Sequence, residues 1–270
     1  MSRARLWIAA IFAVMALLGY YGYREVNPIT GDTQHISMSR EDEVALGMAS
    51  APQVAEEFGG LDPDPELQAR VNAIGARVVR GSVAGQTPYP FEFHVLQDPQ
   101  TVNAFALPGG PVFVTRGLLD RLQNEGQLAG VLGHEVGHVL GRHSAEQIAR
   151  GRLAEALTGA AGIAASDDYN DARRAQAVAA LAARIVQLRY GREDEIQADT
   201  LGVRLMIESG FDPHDLLGVM RILKEASGGS RQPEFLSTHP DPGNRETVIR
   251  DAIARREGLA AAGDRTTRGR

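Results

Sequence analysis

Residues Gly126–His143 read GQLAGVLGHEVGHVLGRH, and within them His134-Glu-Val-Gly-His138 carries the chemistry. The two histidines are four residues apart, which on an α-helix puts both imidazoles on one face, one turn apart. Two neutral imidazoles so placed can hold one zinc ion. Glu135 lies about 100° around the helix from His134. It is poorly placed to join the same ion but can reach a water molecule beside it. This layout suits a zinc-dependent hydrolase of peptide bonds.

The five-residue pattern also arises by chance, so its context matters. Apolar residues at 128, 129, 131, 132, 136, 139 and 140 fit a largely buried helix. Asn124 suits the N-cap and Glu125 the first turn. Gly130, Gly133 and Gly137 weaken helix propensity but allow a neighbour to pack closely. Two histidines and a glutamate inside an apolar helix are costly unless something pairs with them, and a metal does so.

The chain has 270 residues, a net charge of −6, 43% hydrophobic and 23% charged residues, and no cysteine. These totals describe an ordinary globular protein with no basic surface for nucleic acid. The missing cysteine excludes disulfides, thiolate ligands, a cysteine nucleophile and an N-terminal lipid anchor on cysteine. At the N-terminus, Arg3 and Arg5 precede the charge-free run Leu6–Tyr23. No good small-x-small cleavage site follows, and Tyr20, Tyr21 and Tyr23 suit a membrane interface. An uncleaved signal-anchor over 1–24 is therefore expected, with a cleaved signal peptide as the alternative. Either way the remainder is exported, and inner-membrane anchoring would leave the catalytic domain in the periplasm.

Residues 25–38 lack periodicity and read as a linker. The main domain runs over 39–257, and 258–270 read as a disordered tail. Ser39, with Asp42 three residues on, starts a helix whose apolar positions are 44, 45, 48, 51, 54, 55 and 58. A second helix spans about 65–80, with 67, 71, 74 and 78 inward. The period then changes to two. Residues 91–96, 102–106 and 111–115 read as three short strands in a small antiparallel sheet, and 117–122 as a helix leading on. Asp167–Asp171 reads as a polar break and Arg173–Leu188 as an Ala-rich helix. Residues 145–185 fit either packing against the core or a mobile lid. Further helices are expected over about 193–209, 213–226 and 242–257, with loop at 227–240. The fold class is α+β, mainly helical, with the small sheet next to the H-E-x-x-H helix.

A zinc hydrolase needs a third protein ligand and an open position. The pattern H-E-x-x-H-x-x-G-x-x-H is not completed: Gly141 fits, but Ser144 stands where the last histidine belongs. His143 is one residue short. On a continuing helix it would lie about 140° from His138 and face away from the metal, which makes it a surface or supporting residue. Glu195 in Glu195-Ile-Gln-Ala-Asp199 is the better candidate. Glu195 and Asp199 share one helix face at four-residue spacing. Glu195 can supply the carboxylate ligand, and Asp199 can accept the free N–H of a ligand histidine. Alone, Glu193-Asp194-Glu195 would read as an acidic first turn; beside H-E-x-x-H the ligand reading is preferred.

Four blocks now stand in order: Asn103-Ala-Phe-Ala-Leu-Pro-Gly-Gly, His134-Glu-Val-Gly-His138, Glu195-Ile-Gln-Ala-Asp199 and Ser237-Thr-His-Pro-Asp-Pro-Gly-Asn-Arg245. In this combination the chain resembles the M48 family of zinc metallopeptidases, which includes the CAAX prenyl protease and bacterial membrane-linked quality-control proteases. The likeness covers about residues 39–255. The multi-helix membrane body of the prenyl proteases and tetratricopeptide repeats are not recognisable, so the chain resembles the small, singly anchored or exported members. The resemblance implies a zincin-type (gluzincin) domain holding one Zn2+ per chain on His134, His138 and Glu195, with Glu135 as general base. It brings His239 and Arg245 to the site as candidates to stabilise the oxyanion. In some relatives the corresponding histidine is thought to cap the zinc and hold the enzyme latent. Asn103, Ala104 and Phe105 become the candidate substrate site, where an extended polypeptide can pair with a strand edge. The expected function is cleavage of unfolded or misassembled envelope proteins. The alternative is a latent zinc-bound chaperone or assembly factor.

Overall fold

The computed structural model describes residues 3–165, 190–227, 233–240 and 243–267. The expected polar break at 167–171 and helix at 173–188 lie outside the described residues, as does the part of the segment read as packing or lid that follows residue 165. The N-terminal helix α1 (Arg3–Gly22) leaves most of its apolar side chains exposed, Trp7 at 72% and Leu18 at 64%. Among the described residues, no helix is long and apolar enough to cross a membrane.

The expected linker is partly ordered into an antiparallel ribbon, β1 (Glu25–Val26) and β2 (Thr33–Gln34), with Glu25 opposite Gln34. Its turn forms because Asn27 Oδ1 accepts from the backbone N–H groups of Ile29 and Thr30, and Gly31 supplies a φ of 81°. Helix α2 (Arg40–Glu57) starts at the expected Ser39 cap with Asp42 closing the capping box. Its buried stripe matches the expected one in part: Val54 is fully buried and Val44, Ala51, Ala55 and Phe58 pack against the core, but Ala45 and Met48 are exposed. Glu43, Gly47, Ser50 and Val54 face inward, while Met48 is 39% exposed. Glu43 and Gly47 join the buried face because Glu43 pairs with a buried arginine, and because a Cβ on Gly47 would lie 1.9 Å from the Pro108 carbonyl oxygen. Helix α3 (Pro65–Arg80) is capped by Asp64 and buries Val71, Ile74 and Val78 as expected.

The sheet holds β3 (Glu92–Leu96), β4 (Ala104–Ala106) and β5 (Pro111–Thr115) in the order β3-β5-β4. It is mixed rather than antiparallel: β4 and β5 are antiparallel, but β3 runs parallel to β5. The all-antiparallel expectation fails because β3 and β5 are not joined by a hairpin. The chain leaves β3, forms β4 on the far edge, and returns through the Pro108–Gly110 turn to fill the centre. A short helix α4 (Arg116–Leu119) follows.

Helix α5 (Glu125–Gly141) carries the H-E-x-x-H residues, and Asn124 caps it by accepting from Gln127 N–H at 2.7 Å. It is buried from Gln127 onward. It ends because Arg142 adopts the left-handed conformation, φ 56°, so helix α6 (His143–Ala165) starts in a new direction. Helix α6 packs along α1. Helix α7 (Arg192–Glu208) lies along α5 at a contact made by glycines. A Cβ on Gly137 would sit 2.9 Å from the Ala198 carbonyl oxygen. Helix α8 (Asp215–Ser227), a short helix α9 (Glu234–Thr238) within the expected loop, and α10 (Arg245–Thr267) complete the described fold. The backbone of α10 continues to Thr267, into the region read as a disordered tail. The main core joins α3, β3, β5, α5 and α7 through residues such as Val78, Val95, Val114, Leu132 and Leu205.

Candidate metal centre

Helix α5 presents His134 and His138 on one face, as the four-residue spacing requires. Helix α7 presents Glu195 and Asp199 by the same rule, and the close α5–α7 contact turns the two faces toward each other. His239, at the C-terminal end of α9, closes the group. All five side chains are at most 1% exposed.

Four nitrogen and oxygen donors converge. His134 Nε2 lies 3.1 Å from His138 Nε2, 3.5 Å from Glu195 Oε2 and 3.4 Å from His239 Nδ1. His138 Nε2 lies 3.5 Å from Glu195 Oε1, and His239 Nδ1 lies 3.0 Å from Glu195 Oε1. Donors about 2.0–2.1 Å from a tetrahedral zinc ion are themselves just over 3 Å apart, so the spacing fits. The donor chemistry fits as well, since imidazole and carboxylate are zinc ligands. Two imidazole nitrogens facing each other at 3.1 Å cannot both donate a proton into that gap, which a cation between them resolves.

Glu135 stands beside the cluster, 0% exposed, with neither carboxylate oxygen hydrogen-bonded. Its Oε1 is 3.7 Å from His239 Nε2. Burial raises its pKa above the usual carboxylate range, against the pull of the neighbouring histidines. Burial also opposes the charging of His134, but hydrogen bonds to Asp199 and Glu195 outweigh it and raise its pKa to about 9. His138 has no such carboxylate on its outer nitrogen, and burial lowers its pKa well below the ordinary value. Burial works against ionisation of Glu195 too, but the surrounding histidines hold its pKa far below normal.

Asp199 sits where the spacing predicts, its Oδ1 3.0 Å from His134 Nδ1. Arg245 is brought to the site, but behind the donors. It is 2% exposed, forks onto Asp199 with Nε and Nη2 at 2.8 and 2.7 Å, and places Nη1 3.1 Å from Glu195 Oε2. Desolvation would raise the Asp199 pKa, yet this arginine keeps it low. In this arrangement the Arg245 fork holds two carboxylates in place. Asn103 is fully buried, and among the described residues neither atom of its side-chain amide has a hydrogen-bond partner. Ala104 and Phe105 belong to edge strand β4.

Two residues stand closer than the sequence suggested. His143 does not face away: the left-handed turn at Arg142 folds it back, and its Nδ1 lies 2.8 Å from His138 Nδ1. Tyr190 was not singled out at all. Its ring stacks on His138 at 3.9 Å, its hydroxyl is 2.9 Å from Ser144 Oγ, and its backbone N–H donates to the Thr238 carbonyl. Its only sequence signal is its place just before the acidic helix start.

A pair of helices that lock two histidines and a glutamate beside a second, unpaired glutamate defines the class of zinc metallopeptidases. Relatives narrow the class. The profile of Peptidase family M48 matches residues 65–253. The chain is 31% identical over 248 residues to the mitochondrial metalloendopeptidase OMA1 of Schizosaccharomyces pombe, covering 91% of this chain and 71% of that protein. It is 31% identical over 242 residues to the beta-barrel assembly-enhancing protease of Yersinia pestis, and 34% over 188 residues to that of Escherichia coli (strain K12). It spans 47% and 38% of the length of those two bacterial proteins. The chain therefore belongs to peptidase family M48 and is a zinc metalloendopeptidase acting on polypeptides.

Proposed function

We propose that this enzyme cleaves unfolded or misassembled proteins of the bacterial cell envelope, with His134, His138 and Glu195 as the zinc ligands and Glu135 as general base. The observation that carries this reading is the convergence of those three donors beside a buried carboxylate with no hydrogen bond among the described residues. Zinc held there supplies a Lewis acid that polarises a peptide carbonyl and makes water more acidic. The protein does the rest. Glu135, with its pKa raised toward neutrality, takes a proton from the attacking water and returns it to the leaving amine. Asp199 and Arg245 hold His134 and Glu195 in place. The unpaired Asn103 amide, buried at the head of β4, offers a donor and an acceptor to the backbone of an extended substrate. Main-chain pairing along β4 selects little side-chain sequence, which suits unfolded substrates. Relatives named for β-barrel assembly support the envelope location. The exposed apolar side chains of α1 support anchoring of the segment 1–24 in the inner membrane, with the domain from residue 39 in the periplasm.

One observation favours a latent form. His239 Nδ1 lies among the donors, and α9, which carries it, is tied by the Phe235 N–H to the Val102 carbonyl, just ahead of β4. His239 is then a fourth ligand that excludes substrate, and an enzyme held in this state would act chiefly as a binding or assembly factor. Hydrolysis of casein by zinc-loaded protein separates the readings. Glu135→Gln should keep its zinc and lose about 10²–10⁴-fold in turnover; undiminished turnover would reject the general-base assignment. Activity appearing only in His239→Ala establishes latency, whereas activity in the wild type with loss in His239→Ala assigns His239 to the oxyanion.

A further inference from the structure

The two candidate ligand histidines are supported differently. His134 Nδ1 meets a carboxylate, Asp199. His138 Nδ1 meets another imidazole, His143 Nδ1, at 2.8 Å. His143 Nε2 in turn lies 2.9 Å from Gln197 Oε1, and Gln197 Nε2 bonds Asp32 Oδ2 on the turn of the β1–β2 ribbon.

With His143 neutral, one arrangement of protons satisfies this row. An ionised Asp32 only accepts, so Gln197 gives it the amide N–H and keeps its oxygen for His143. That oxygen also only accepts, so His143 carries its proton on Nε2 and offers a lone pair on Nδ1. His138 must then donate from Nδ1, which leaves the Nε2 lone pair facing the donor cluster.

The backbone is shaped for this contact. Arg142 adopts φ 56° to turn His143 back. Gly141 leaves room for the ring, because a Cβ there would lie 2.4 Å from His143 Nε2. His143 is 2% exposed, with both ring nitrogens paired. The outer end of the row opens into a cavity of about 800 Å³ lined by Asp32, Gln34, His143, Glu146, Asp194 and Gln197 among others. The same ribbon caps the metal helix directly: Asn27 Nδ2 donates to the Leu140 carbonyl at 2.8 Å and Gln34 Nε2 to the Gly141 carbonyl at 2.6 Å.

We propose that His143 is a positioning residue for the metal, which with Gln197 and Asp32 fixes the tautomer and ring orientation of His138. The β1–β2 ribbon thereby contributes to metal affinity from outside the catalytic helices. This inference rests on the assignment of His138 as a zinc ligand.

The test is zinc affinity of the full chain, measured by competition with a chromophoric chelator, alongside thermal melting of the metal-free protein. His143→Phe keeps the ring volume and removes the acceptor. Its zinc dissociation constant should rise about 10–100-fold, and His143→Gln, which restores an acceptor, should recover most of the loss. Asp32→Ala, at the exposed end, should weaken binding less than Gln197→Leu. Affinity of His143→Phe within about threefold of wild type overturns the proposal. If that variant does not fold, wild-type affinity in Gln197→Leu overturns it equally. His138→Ala separates the two levels of the argument. Loss of zinc there with intact binding in His143→Phe rejects the relay alone, whereas zinc retained by His138→Ala rejects the ligand assignment beneath it.

Discussion

His134 and His138 occupy equivalent helix positions, yet their surroundings drive them to opposite protonation states. Burial disfavours charge on both, but only His134 has carboxylates on both ring nitrogens, Asp199 at 3.0 Å and Glu195 at 3.5 Å. In the metal-free protein His134 therefore holds its proton up to about pH 9, while His138 stays neutral. Zinc binds the unprotonated ring, so it must displace that proton. Below pH 9 each binding event should release about one proton, and apparent affinity should rise with pH until His134 titrates. Calorimetry at pH 7 in two buffers of different ionisation enthalpy checks this. Equal binding enthalpies in both buffers would mean no proton is released and that His134 is not the protonated ligand.

At the scale of elements, the site depends on where α5 stops and what stands against its end. Arg142 is 2% exposed, and its guanidinium pairs with Glu43 of α2, Glu25 of β1 and the Met38 carbonyl. Burial raises the pKa of Glu43, and Arg142 opposes that shift. One left-handed residue thus ends the metal helix, aims His143 at His138 and anchors both the ribbon and α2. Replacing it with Met leaves Glu43 buried without its cation, a defect that costs about 3–5 kcal/mol. Denaturant unfolding of metal-free Arg142→Met should show a loss of that size. A loss within about 0.5 kcal/mol, as for an ordinary surface substitution, would mean the network is relaxed by water.

At the scale of the molecule, α1 and the catalytic domain differ in what they bury. The domain buries its core around α5, whereas α1 shows Trp7, Ile11, Phe12, Met15 and Leu18 at 57–72% exposure. Placing these side chains in lipid recovers the hydrophobic free energy that water withholds, about 25 cal/mol per Å². Expressed in a bacterium, the full chain should sediment with membranes at the mass of the uncleaved polypeptide. A version lacking residues 1–24 should be soluble, bind zinc and hydrolyse casein, because the donors and the ribbon remain. Full-length chain of unaltered mass in the soluble fraction would reject the anchor.

Much of the site was legible before the fold was. Local periodicity put His134 with His138, and Glu195 with Asp199, on shared helix faces, because a four-residue spacing does so whatever the helix packs against; choosing Glu195 as the third donor also needed the H-E-x-x-H block beside it. The caps at Ser39 and Asn124, the strand segments and the packing glycines are local in the same sense. Strand direction was not legible, since β3 and β5 pair across an intervening strand and no turn between them reveals their orientation. Part of the inward face of α2 was hidden, because a buried Glu43–Arg142 pair and a backbone contact at Gly47 add a charged and a small residue to the apolar pattern. Tyr190 was missed, and His143 was left between a surface and a supporting place, for one reason: each reaches His138 only after the chain turns, at Arg142 or at the start of α7. The sequence by itself thus determined which donors lie on which helix face. The resemblance already brought His239 and Arg245 to the site; the tertiary structure decided how they stand there, His239 among the donors and Arg245 behind them on Asp199, because those contacts join residues far apart in the chain.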